Sequence, residues 1–311
     1  MVTLNRLGIV RYMSLSVCAA LLFALTGCDQ KNEAGKPQYE TTAAKSAKPI
    51  YYFAVHPLHN PSKLHEAYQP MIDYLNATIG SVHFELEASR DYQAYEAKFR
   101  KRTPEFLLPN PWQTLEAQKV GYRVIAMAGD PADFKGIIIV RKDAKIAQPR
   151  DLIGKVVTYP SPTALAACIM PQYFLHKNGI SVAQDLQNRY VGSQESSIMN
   201  VYLGESAAGA TWPPPWRAFQ KDHPVEASQL KVMWETESLV NNSVMVRNDI
   251  PPELGEQVRK ALLKLPESPD GKKILDAMQT ARFYSANDAD YNVVRQYIAR
   301  FEKEVRPVEA K

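Results

Sequence analysis

The chain has 311 residues, with 37 Lys plus Arg against 33 Asp plus Glu and a formal net charge of +4. Charges of both signs are dispersed without a basic block, which argues against a nucleic-acid partner, and beyond the N-terminus no apolar run approaches the roughly 18 residues of a membrane span. Of the three cysteines only Cys168 lies beyond residue 28, which excludes a disulfide framework and a Cys-based metal site there; Cys168 is expected to pack as a small apolar side chain.

Arg6 and Arg11 make a positive segment with no acid before Asp29, and a mostly apolar run over residues 12–25 follows. That run is short for a bilayer and fits the h-region of an export signal. Leu25-Thr26-Gly27-Cys28 directly after it resembles a bacterial lipobox. The resemblance implies cleavage after residue 27 and a lipid on Cys28. Asp29 resembles a signal for retention in the inner membrane, so the expected location is the periplasm, anchored to the membrane. Residues 28–48 are polar and small and read as a tether.

From residue 50 the pattern becomes α/β. Strands are expected at 50–55, 82–86, 105–108 and 123–127, alternating with helices at 61–78, 92–100 and 111–119. A strongly apolar strand at 136–141 precedes a restart of the pattern. Strands at 155–159, 207–211, 231–234 and 243–247 and helices at 164–177, 194–203 and 214–221 follow, then helices near 252–265, 269–279 and 287–304. Such alternation implies parallel sheets covered by helices. The expected fold class is α/β with two lobes and a cleft between them. Lobe 1 is residues 49–138 and 240–311, and lobe 2 is residues 139–239, with the crossings near 136–145 and 232–242 and the C-terminal helices returning to lobe 1.

Four strand-to-helix turns carry one device. Asn60 before Pro61, Asn110 before Pro111, Thr163 after Pro162, and Ser193 before Gln194 all read as helix caps. Turns of this kind lie at the carboxyl ends of strands, where open α/β sheets bind ligands, and each leaves backbone N–H groups at the positive end of a helix. His56, His59, Asn60, Asn110, Trp112, Ser161, Thr163, Ser193, Gln194 and Trp212 are the candidate ligand residues. His56 and His59 are expected to donate hydrogen bonds rather than hold a metal, because no third and fourth ligand accompanies them at metal spacing. Trp112 is placed in the cleft by its position after Asn110. Trp212, in the stiff run Thr211-Trp212-Pro213-Pro214-Pro215-Trp216, either walls the cleft or packs as a rigid turn. No nucleophile triad, nucleotide loop or zinc-peptidase motif is present, so no catalytic residue, metal or cofactor is expected.

At these loops the sequence resembles the phosphonate- and phosphite-binding proteins of ABC importers, a family of type II periplasmic binding proteins. The resemblance covers roughly residues 50–305. It rests on Leu64, Tyr68, Pro70 and Tyr74-Leu75; on Pro109-Asn110-Pro111-Trp112 with Gly121-Tyr122; on residues 136–143 followed by Asp151-Leu152-Ile153-Gly154-Lys155; on residues 160–167; on Gly192-Ser193-Gln194; and on residues 204–209. It implies capture of a small anionic or polar solute by a monomer, and delivery to a membrane permease. The same scaffold could serve as sensory input to a membrane kinase or cyclase, or, less in keeping with the missing motifs, as an enzyme. The ligand loops depart from the family: Pro162-Thr163-Ala164-Leu165 keeps only the Thr of a Ser-Thr-Ser run, Gln194 replaces a common His, and Ala207 replaces a common Asp. An aminoalkyl phosphonate is therefore expected to bind about ten- to a hundredfold more weakly, unless Glu195 supplies the missing acid.

Overall fold

The computed structural model describes residues 48–309; the expected export signal at residues 1–27, Cys28 and residues 29–47 of the expected tether lie outside the described residues. In chain order the strands are β1 (Ile50–Val55), β2 (His83–Glu87), β3 (Phe106–Leu108), β4 (Tyr122–Ala128), β5 (Lys135–Arg141), β6 (Val156–Tyr159), β7 (Gln187–Tyr190), β8 (Ala208–Thr211), β9 (Leu230–Ser238), β10 (Asn242–Arg247) and β11 (Phe283–Ser285). The helices are α1 (Pro61–Thr78), α2 (Tyr92–Arg100), α3 (Pro111–Lys119), α4 (Met170–Lys177), α5 (Gln194–Tyr202), α6 (Pro213–Asp222), α7 (Pro224–Ser228), α8 (Pro252–Lys264), α9 (Pro269–Ala277) and α10 (Asn292–Glu304).

Among the described residues the strands form two sheets, ordered β11-β4-β10-β3-β1-β2 and β7-β6-β8-β5-β9. Neither is purely parallel, contrary to the alternation read from the sequence. β1 runs parallel to β2 and β3, whereas β10 inserts antiparallel between β3 and β4. In the second sheet β6 runs parallel to β7 and β8, and β5 runs antiparallel to β8 and β9. β5 belongs to the second sheet from Lys135 onward, so the chain passes between sheets at residues 129–134 rather than inside β5. It returns at residues 239–241, between β9 and β10.

β5 shows how the apolar pattern becomes packing. A strand buried on both faces carries a continuous apolar run. Ile138 and Val140 enter the main core, while Ile137 and Ile139 enter a second cluster with Ile198, Val201, Trp216 and Phe219. Each such side chain contributes about 1.5–3 kcal/mol of burial. In the first lobe α1 buries Leu64, Tyr68, Met71, Ile72 and Leu75 on one face. Among the C-terminal helices α8 and α9 pack on α1 and α10 packs on α3, and the end of α10 also reaches the other lobe. Tyr173 donates to Glu304 at 3.0 Å, and Arg306 donates to Gln172 (2.8 Å) and to the Pro162 carbonyl (3.2 Å). The turn that carries Ser161 and Thr163 is thus braced from the C-terminal tail.

Candidate functional site

β1 ends at Val55 and hands the chain to His56, which is buried. The His56 backbone N–H (3.1 Å) and Nδ1 (2.9 Å) both meet the Leu108 carbonyl, so the ring is pinned with Nδ1 as donor. Burial depresses the imidazole pKa to about 4, and the bond to Leu108 offsets this only in part. The neutral ring stands edge-on to Tyr92, with centroids 6.2 Å apart.

At the next turn Asn110 and Gln113 form a reciprocal capping box: Gln113 N donates to Asn110 Oδ1 (3.1 Å) and Asn110 N to Gln113 Oε1 (3.2 Å). The Asn110 amide then crosses the seam between lobes and donates to the Thr163 carbonyl at 3.2 Å. Thr163 answers in the other direction. Its hydroxyl donates to Glu96 of α2 at 2.6 Å, and the Gln113 amide donates to the same carboxylate oxygen at 3.0 Å. Ser161 lies 3.0 Å from Thr163, oxygen to oxygen. Beside this group Gln194, buried at the start of α5, donates to the Tyr92 hydroxyl (3.0 Å) and accepts from Thr211 (2.8 Å). Three side-chain contacts therefore join the lobes at the carboxyl ends of their strands: Asn110 with Thr163, Thr163 with Glu96, and Gln194 with Tyr92.

Burial raises the Glu96 carboxyl above its ordinary pKa; its bonds to Thr163 and Gln113 and the Arg100 charge oppose that rise, and Glu309 adds to it. Arg100 is 3.8 Å from Glu96 and 2.6 Å from Glu309, so its cation is shared between two acids.

The model of a protein family described as the periplasmic substrate-binding protein of phosphonate ABC transporters matches residues 53–291. The chain belongs to this family. It is similar to the probable ABC transporter phosphite binding protein PhnD1 of Prochlorococcus marinus (strain MIT 9301), with 24% identity over 186 residues, 56% of this chain and 63% of that relative's length. Among solved structures, the binding protein component of a Pseudomonas aeruginosa ABC phosphonate transporter superposes with a TM-score of 0.77 at 17% identity, covering 83% of this chain and 88% of that one. PhnD1 of Prochlorococcus marinus in complex with methylphosphonate gives 0.74 at 20% identity, covering 82% and 98%. At these identities the superpositions establish a shared fold.

In this family member the sequence-predicted residues divide. His56, Asn110, Ser161, Thr163 and Gln194 gather along the seam with Tyr92, Glu96, Gln113 and Thr211. Trp212 stays at the lobe junction: its ring lies 5.6 Å from Phe134, and with Leu58, Tyr68, Leu108 and Asn242 it lines a narrow crevice. Trp112 departs from expectation. At about 100° per residue it points nearly opposite to Asn110, and it is buried in a groove with Leu115, Arg295, Ile298 and Val308. His59 and Asn60 open onto a separate groove with Lys63 and Asp222, which form an ion pair between the lobes. Burial and the neighbouring Lys63 charge lower the His59 pKa to about 3.

Ser193 caps α5 as predicted, and its hydroxyl is committed to Ser196. Thr163 does not cap its helix. The helix opens at Leu165 with a wide turn in which Ile169 N donates to the Ala164 carbonyl, while Glu96 holds the Thr163 hydroxyl. Ala207 departs from expectation: it precedes β8 at the end away from the seam, bonded to the Val156 carbonyl beside Arg141 and Lys155, so an acid there would not face the seam; Glu195 faces His223 at 3.3 Å.

Proposed function

We propose that the protein captures a small acidic or strongly polar solute of the phosphonate, phosphite and phosphate class at the seam between its lobes. It then presents the solute to the permease of an ABC importer, from a lipid anchor on the periplasmic side of the inner membrane. The observation that carries this reading is the set of contacts from Asn110, Thr163 and Gln194 to the opposite lobe, at the strand ends where α/β folds bind ligands. Family membership and the shared fold support it. Opening the lobes breaks these contacts, and closing them over a solute restores or replaces them, as in hinge-type capture.

A thermal-shift panel of phosphate, phosphite, methylphosphonate and 2-aminoethylphosphonate, paired with small-angle scattering, tests the proposal. A ligand at about a hundred times its Kd adds roughly 2.7 kcal/mol, a shift of several degrees for lobes of this size, and the scattering envelope contracts. 2-Aminoethylphosphonate is expected below the others, because the seam carboxylate Glu96 is already engaged by Thr163 and Gln113 and Glu195 is held by His223, which leaves its ammonium no uncommitted acid. No shift with any member, or scattering unchanged by a saturating binder, would overturn it.

A further inference from the structure

We infer that Glu96 makes the seam selective for the singly protonated form of an oxyacid, by drawing the hydroxyl protons of Ser161 and Thr163 toward itself. The inference rests on the capture site proposed above. A threonine hydroxyl has one proton, and at 2.6 Å that of Thr163 goes to Glu96. In the 3.0 Å contact between Ser161 and Thr163 the donor is then Ser161. Ser161 Oγ also accepts from Thr163 N at 3.3 Å. Both hydroxyls are spent as donors within the chain, and what they offer a solute is a lone pair.

The surrounding charges point the same way. On its own helix Glu96 meets Arg100 and the phenols of Tyr92 and Tyr95. From the C-terminal tail Glu309 pairs with the same Arg100 at 2.6 Å. From α3 comes the neutral Gln113; from the turn after β1, His56, which burial keeps neutral down to about pH 4. From the turn after β6 come Ser161 and Thr163, and the nearby Arg306 is engaged with Pro162, Gln172 and Cys168. Arg306 keeps its charge but spends its donors on these neutral groups, and the charged oxygens nearest the two hydroxyls are those of Glu96, an unfavourable neighbour for a dianion. A monoanion that keeps one hydroxyl can donate to Ser161 or Thr163. Asn110 and Gln194 each have a second amide hydrogen for its ionised oxygens.

Methylphosphonate and methanesulfonate are the probes: nearly the same shape, the second with no acidic proton to give. Calorimetry on the mature protein should show methylphosphonate binding at least about tenfold more tightly, the worth of one charge-assisted hydrogen bond. Its affinity should fall as pH rises through its second ionisation, with a proton taken up from buffer. Glu96→Ala releases the hydroxyl protons, so methanesulfonate should gain about fivefold or more and the pH slope should flatten. Glu96→Leu removes both the charge and the acceptor while filling most of the space, so its pH slope should flatten even if the alanine variant fails to fold. Wild-type selectivity and slope in the variants would overturn the role of Glu96. Failure of methylphosphonate, phosphite and phosphate to bind at any pH would overturn the capture site itself, and the inference with it.

Discussion

His56 ties the stability of the first lobe to pH in a way that can be sized. Its imidazole is buried and pinned by Leu108, and its pKa falls from 6.5 to about 4. In the unfolded chain the ring takes up a proton near pH 6.5; in the folded chain it does so only near pH 4. Between those values the unfolded state binds more protons, so stability is whole above about pH 6.5 and is lost as pH falls toward 4. At 1.36 kcal/mol per unit, the loss at pH 4 is about 3 kcal/mol, or roughly 6–12 °C in Tm for a protein of this size. Glu96 works against this, because a carboxyl whose folded pKa is raised gains stability as pH falls through that value. The single-site contribution is therefore read as a difference. His56→Asn places an amide donor where Nδ1 meets the Leu108 carbonyl and does not titrate. Urea unfolding of both proteins from pH 7 to pH 4 should show the parent losing about 3 kcal/mol more than the variant. Parallel profiles would refute the claim that the imidazole is held neutral by burial.

Two further outcomes follow from packing and from the proposed lipid anchor. A methyl group at Gly209 on β8 would lie 2.3 Å from the Ser197 carbonyl and 2.7 Å from Val201 of α5, so Gly209→Ala should cost about 3 kcal/mol or more in denaturant titration; a loss under about 1 kcal/mol would show that strand and helix can separate freely. Cys28→Ser should either release the protein from membranes or block its processing. Mature-length variant still fractionating with membranes would remove the lipid anchor from the proposal.

Elements with two independent signals were legible in the sequence. α1 and α3 begin where expected because an Asn cap and a following proline coincide with the start of each helix. Single weak signals failed. β7, Gln-Asn-Arg-Tyr, is an edge strand pairing only with β6, and it lacks the alternation that burial of one face imposes. β11 is three residues long, and only its pairing with β4 makes it a strand. Strand direction left no trace either. β10 is buried on both faces whichever way it runs, so its antiparallel place between β3 and β4 follows from the path of the chain rather than from its residues.

The candidate site was half legible, for a reason visible in α2. Strand-end turns announced Asn110, Ser161, Thr163 and Gln194, but Glu96 sits in mid-helix, where no turn chemistry marks it. Its signal is periodic instead. Tyr92, Tyr95 and Phe99 form the buried face of α2, and Glu96, four residues after Tyr92 and three before Phe99, stands on that face. An acid there must either find partners or lose its charge, since an unpaired buried carboxylate costs too much to persist. Gln113 and Thr163 are those partners, one on the next helix and one across the seam. The failed cap has a positional reason: the wide turn starts the helix at Leu165, so Ala164 holds the N-cap position and Thr163, one residue earlier, points its hydroxyl across the seam to Glu96. The shifted helix start at Thr163 and the buried acid at Glu96 thus meet in one hydrogen bond, at the place where the lobes join.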